Sequence, residues 1–145
     1  MAPISAAAVM REINRATGED FPFGSPEDYA NPPLFSWVEW RSYLMTGDRS
    51  RFRDVLPPLV KHYRWLQENR RREDGFYWNT GLGSGLDDLR RGPAHAWLDM
   101  TCQMAMNAYY IALIAESVGD AETAGYFRGE NRRLAEMVNS RMWDE

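Results

Sequence analysis

The chain has 145 residues, the ordinary size of one domain, and 44% of them are hydrophobic, enough for a real core. Seventeen Lys and Arg against 21 Asp and Glu leave a net charge of −4, so no basic excess exists to neutralise phosphates, and nucleic acid is not an expected partner. A single cysteine, Cys102, excludes an intrachain disulfide, and no apolar run approaches the ~18 residues of a membrane span.

The first ten residues lack a basic n-region, and Arg11 and Glu12 come too soon for a signal peptide. A cytoplasmic, soluble protein is the expectation. Residues 4–16 can form a short helix, from an Ala-rich run to Ile13 and Ala16, with Thr17-Gly18 as its stop. Between Glu19 and Pro33 lies a loop with four prolines and the aromatics Phe21, Phe23 and Tyr29. Pro32-Pro33 suits the first turn of the next helix, where a missing N–H costs nothing.

Residues 33–46 read as a helix whose Leu34, Phe35, Trp37, Val38, Trp40, Tyr43 and Leu44 leave little polar surface. It is expected to be mostly buried. Gly47 ends it, and Asp48 is placed to cap the next. Over 49–70, Phe52, Val55, Leu56, Leu59, Val60, Tyr63 and Leu66 form the stripe of an amphipathic helix. Pro57-Pro58 inside it predicts a kink or a break, because neither residue donates an N–H. Residues 97–118 form the most apolar helix, with Met100, Met104 and Met106 as core filler, and Gly119-Asp120 ends it and starts the last one. That last helix, 121–143, turns Ala124, Phe127, Leu134, Met137 and Val138 toward a core. The fold class is all-α.

Two helical pairs therefore match, each a buried helix, a Gly-Asp turn and an amphipathic helix. If successive helices run antiparallel, both short turns lie at one end and the long connections 17–33 and 71–97 at the other. An α/α toroid is built in that way.

The connection from Asp74 to Arg91 is the chemically rich stretch. It holds four of the eleven glycines between Gly75 and Gly85, the aromatics Phe76, Tyr77 and Trp78, the pair Asp87-Asp88 and the pair Arg90-Arg91. Long connections in compact domains tend to be functional. Glycines allow close backbone approach to a ligand, and carboxyls at a loop tip can move protons. Tyr77 and Trp78 suit the half-apolar face of a sugar, or they pin the loop to the helices. Asp87 by itself also reads as a turn residue or helix cap. Glu39, Asp99 and Glu116 read as capping, pairing or solvated groups, and Arg70-Arg71-Arg72 as a solvated helix end. His62, His95 and Asp99 match no zinc spacing, so neither metal nor cofactor is expected.

Gly-Ser-Gly-Leu-Asp-Asp-Leu-Arg-Arg, residues 83–91, resembles the Gly-Met-Asp-Asn-Ser-Pro-Arg type segment of the clan that joins trehalase to glycoside hydrolase family 63, and within it the mannosylglycerate and glucosylglycerate hydrolase branch. Segments 31–37, 56–65, 99–110 and Trp143-Asp-Glu are similar to that branch in the same order, so the resemblance runs from about Met10 to the end. It implies an inverting glycosidase built on an (α/α)6 barrel, with residues 1–145 as part of the catalytic domain. It implies Asp87 as general acid and Arg91 as the counterpart of the family's Arg; Tyr77, Trp78, Gly85 and Asp88 are expected to line the sugar site beside them. Asp88, Leu89 and Arg90 depart from the pattern, where Asn, Ser and Pro are usual. In that family the general base is a Glu far downstream, beyond Glu145. The chain alone is therefore expected to hydrolyse little, and its incomplete ring to associate with a second copy or with a complementary chain. The alternative expectation is a helical protein that binds carbohydrate, or itself, without turnover.

Overall fold

A computed structural model describes residues 32–79 and 95–142. Four helices carry the fold: α1, Phe35–Thr46; α2, Phe52–Arg70; α3, Leu98–Val118; and α4, Ala121–Arg141. They coincide with the four helices predicted between residues 33 and 143, within about three residues at each end. The predicted helix at 4–16 and nearly all of the proline-rich loop after it lie outside the described residues. The protein is all-α, and no described helix is long and apolar enough to cross a membrane.

α3 is the centre because it is apolar in nearly every direction. Met100, Met104, Ala108, Ile111, Ala112, Ile114 and Ala115 are all fully buried. Against it α2 sets Phe52, Val55, Leu59, Tyr63 and Leu66, and α4 sets Ala124, Phe127 and Leu134. Burying each such side chain is worth ~1.5–3 kcal/mol, so these stripes hold the helices together. Gly47 and Gly119 end α1 and α3 in the left-handed region, at φ 71° and 82°, a conformation that glycine alone adopts without strain.

Successive helices run antiparallel. The Trp40 and Tyr43 rings near the end of α1 pack on Phe52 at the start of α2. Beyond the end of α2, Tyr77 meets Trp97 at the start of α3. Arg141, the last residue of α4, reaches back to the carbonyl of Asp74 and to the Phe76 ring. Both Gly-Asp turns thus share one end, and the feet of the 71–97 connection stand at the other.

Three local expectations need correction. α1 is not mostly buried: its buried residues are the polar Ser36 and Glu39, while Leu34, Trp37, Leu44 and Met45 are exposed. A short helix laid against two longer ones covers one face only. That face is polar because Ser36 donates to Asn107 Oδ1 at 2.6 Å and Glu39 pairs with Arg51 at 2.9 Å. Next, of the kink or break expected at Pro57-Pro58, the break does not occur, and α2 runs on to Arg70. The carbonyls left without their helical donors are those of Arg53 and Asp54, both exposed, and burial of Val55, Leu59 and Tyr63 holds the axis on either side. Finally, Asp48 does not cap α2. It accepts from Ser50 N–H at 2.8 Å in a turn before the helix, whereas Asp120 does cap α4, accepting from Thr123 N–H at 3.0 Å.

His62 lies buried on α2 with its ring edge-on to Phe35 of α1. Burial pushes its pKa down from 6.5 to about 4, so the folded chain keeps it neutral. The unfolded chain takes up a proton below its ordinary pKa. His62 therefore makes stability fall as pH drops from about 6.5 toward 4, by ~1.4 kcal/mol per unit. Glu39, whose pKa burial raises despite Arg51, works in the opposite sense: its contribution is present below the ordinary carboxylate pKa and is lost as pH rises through the folded value. Urea midpoints measured between pH 7 and 4.5 should fall for the natural chain, and His62→Phe should flatten that slope.

Candidate active site

The glycine-rich connection is tied down at both feet. Tyr77 N–H donates to Thr101 Oγ1 at 3.2 Å, Thr101 Oγ1 donates to Trp97 O at 2.8 Å, and Trp97 N–H donates to Tyr77 O at 2.8 Å. Tyr77, Trp97 and Thr101 are all fully buried. The chain thus leaves α2, touches the first turn of α3, makes its excursion and returns to the same place.

The outgoing foot is set by a tight reversal after α2. Arg72 N–H donates to Phe76 O at 2.8 Å, and Asp74, held by Arg72, accepts from Phe76 N–H. The Arg72 bonds and the Phe76 amide keep the Asp74 carboxyl below its ordinary pKa. Gly75 takes φ 87°, a left-handed conformation that favours glycine, and a Cβ there would sit 3.0 Å from the flexible Met137 methyl, which would have to give way. Beneath the reversal, Glu130 of α4 accepts from Gln67 at 2.9 Å and from Arg133 at 2.9 and 3.0 Å. Burial raises the Glu130 pKa, but the Arg133 bonds outweigh it, so the net shift is downward and the group stays ionised. Burial, with the Glu130 charge nearby, pushes the Tyr77 hydroxyl up to about 12.

Next to Tyr77, Trp78 donates its N–H to Arg70 O at 3.0 Å. The Arg70 guanidinium lies between two indoles, 4.8 Å from the Trp78 ring and 5.0 Å from that of Trp65. Arg70 is 2% exposed and is no solvated helix end. Two π faces replace part of its hydration, and the Trp78 foot is fixed in return.

Of the predicted site residues, Tyr77 is therefore in the core and Trp78 is half-buried against Arg70. Asp87, Gly85, Asp88 and Arg91 lie outside the described residues. Asn79 is fully buried and donates to Met100 Sδ. Sequence reasoning missed Arg70, Trp97 and Thr101. Arg70 continues the α2 stripe four residues after Leu66, and Thr101 stands four after Trp97, so helical spacing held the signal. Elsewhere the buried carboxylates are committed, Glu39 to Arg51 and Glu130 to Arg133, and no group of three metal-ligating side chains occurs among the described residues. A groove of about 600 Å³ lies between α2 and the start of α4, lined by Leu56, Val60, Arg64, Trp65, Asp120 and Thr123 among others.

An all-α domain of two antiparallel hairpins, with a long glycine-rich connection pinned at both feet, is the class that fold and site define. The chain belongs to the mannosylglycerate hydrolase MGH1-like glycoside hydrolase domain family, whose pattern it matches over residues 17–145. It is 29% identical over 113 residues to an uncharacterised protein of Borreliella burgdorferi. The match covers 78% of this chain and 24% of that protein, so the chain spans about a quarter of the length of this curated relative. No solved structure matches the chain significantly.

Thr101→Val should leave the buried Tyr77 N–H without its acceptor. A loss of ~1–3 kcal/mol in denaturant unfolding is expected, with Thr101→Ser close to the natural chain.

Proposed function

We propose that this domain takes part in the hydrolysis of an α-glycosidic bond with inversion, on an oligosaccharide or a glycerate glycoside, and that the four helices are part of an α/α toroid. Asp87 is the general acid, protonating the leaving oxygen. Arg91 and Asp88 contact the sugar, and Gly85 lets the backbone approach it. The pinned feet carry the reading: a proton donor on a long connection works only if its base is held, and Tyr77, Trp97 and Thr101 hold it.

Inversion needs a second carboxylate, ~6.5–9.5 Å from the acid, with a water between. The buried carboxylates among the described residues are already paired, and Asp54, Glu68 and Glu122 face solvent from helix surfaces. We assign the base, as the family resemblance implies, to a Glu further downstream. The partner is a carbohydrate, and Trp78, one face of which Arg70 covers, is the aromatic wall at the outgoing foot.

The test is a screen of α-glucosides, α-mannosides and glycerate glycosides, run on the chain supplied with the helices that bring the base, with the product anomer followed by NMR. Turnover should release the inverted anomer. Asp87→Asn should lower it by ~10²–10⁴-fold while Asp88→Asn keeps most of it. Sugar binding without turnover would favour the non-catalytic alternative. Undiminished turnover in Asp87→Asn would remove the assignment.

A further inference from the structure

The exposed side of α1 is a continuous apolar strip. Leu34 and Trp37 are 38% exposed, Leu44 57% and Met45 77%, and Arg41 is the one charge among them. The opposite side of the same helix is locked to α3 and to the start of α2 through Ser36–Asn107 and Glu39–Arg51. The strip therefore cannot roll inward. Four large apolar side chains on one side of a fixed helix form a surface that calls for a cover.

We propose that this strip is a docking surface for the chain's own N-terminal segment, residues 4–16. That segment precedes the region that matches the family, so the match assigns it no place. In it Ala6, Val9, Met10, Ile13 and Ala16 stand at i, i+3, i+4, i+7 and i+10, one face of a helix, with Arg11, Asn14 and Arg15 on the other. The lengths agree. At 1.5 Å per residue, Leu34 to Met45 spans ~16 Å and Ala6 to Ala16 ~15 Å. The connection from Thr17 to Pro33 can extend ~55 Å, so it reaches any point of α1.

Charge chooses this occupant over a second copy. An isologous pairing of two α1 strips sets Arg41 against Arg41 near the symmetry axis, a like-charge contact. The segment instead carries Glu12 at the edge of its apolar stripe, an acidic group that a second α1 strip lacks. Docking would also cover Trp37, the most extensive ring on the strip.

Cysteine pairs in the full chain test this, in a Cys102→Ser background. Val9→Cys or Ile13→Cys is combined with Arg41→Cys or Leu44→Cys, and Arg11→Cys serves as the polar-face control. Air oxidation should give intramolecular disulfides in the first pairs with a yield ~10-fold above the control, reflecting a high effective concentration. In parallel, Val9→Asp with Ile13→Asp should raise acrylamide quenching of tryptophan emission, and Trp37→Phe should abolish that increase. Equal yields from both faces, no intramolecular disulfide in any pair, or disulfide-linked dimers would each overturn the proposal, the last by showing a second copy on the strip.

Discussion

Three buried residues tie together the described ends of the glycine-rich connection: Tyr77, Trp97 and Thr101. Their bonds cross between a segment that has just left α2 and the first turn of α3. Backbone donors and acceptors buried in a core must be paired, and here they are paired with each other across the connection. The cost of leaving any one unmade is what makes the junction rigid. The described ends of the connection, at Tyr77–Trp78 and Trp97, therefore meet at one buried point.

The surroundings reinforce it from two sides. Above α2, Arg70 is held between Trp65 and Trp78, a planar cation packed on two indoles. Beneath the reversal at Gly75, Glu130 gathers Gln67 and Arg133, with Met137 filling the space that a side chain at 75 would need. Both devices use polar groups at the margin of an apolar core, where low dielectric strengthens a satisfied bond and penalises a lost one. α1 repeats the logic: its buried Ser36 and Glu39 fix a register against Asn107 and Arg51 that aliphatic contacts alone would leave loose.

Much of the fold was legible in the residues. The stripes of α2 and α4, the all-round apolarity of α3 and the Gly-Asp turns gave the four helices and their antiparallel order. The misreadings share a cause. α1 looked buried because its composition is apolar, yet burial follows contact area, and a 12-residue helix beside two longer ones offers one face. Pro57-Pro58 looked like a break because local chemistry argues for one, but the carbonyls it frees face water while the flanking stripe is held by α3. Arg70 looked solvated because arginine usually is. Its place on the α2 stripe was readable from the spacing, but the Trp78 ring that covers it returns from beyond the turn, a long-range contact that no local pattern contains. For the aromatic run, spacing alone could not say which ring faces the core. Burial answers for Tyr77.

Amide hydrogen exchange at Tyr77 and Trp97 tests the junction most directly. If these two N–H groups hold the feet of the connection, they exchange only when the domain unfolds, at rates within ~10-fold of core amides of α3 such as Ala108 and Ile111. Exchange orders of magnitude faster than that, with α3 still protected, would mean that the feet open on their own and that nothing fixes the base from which Asp87 would act.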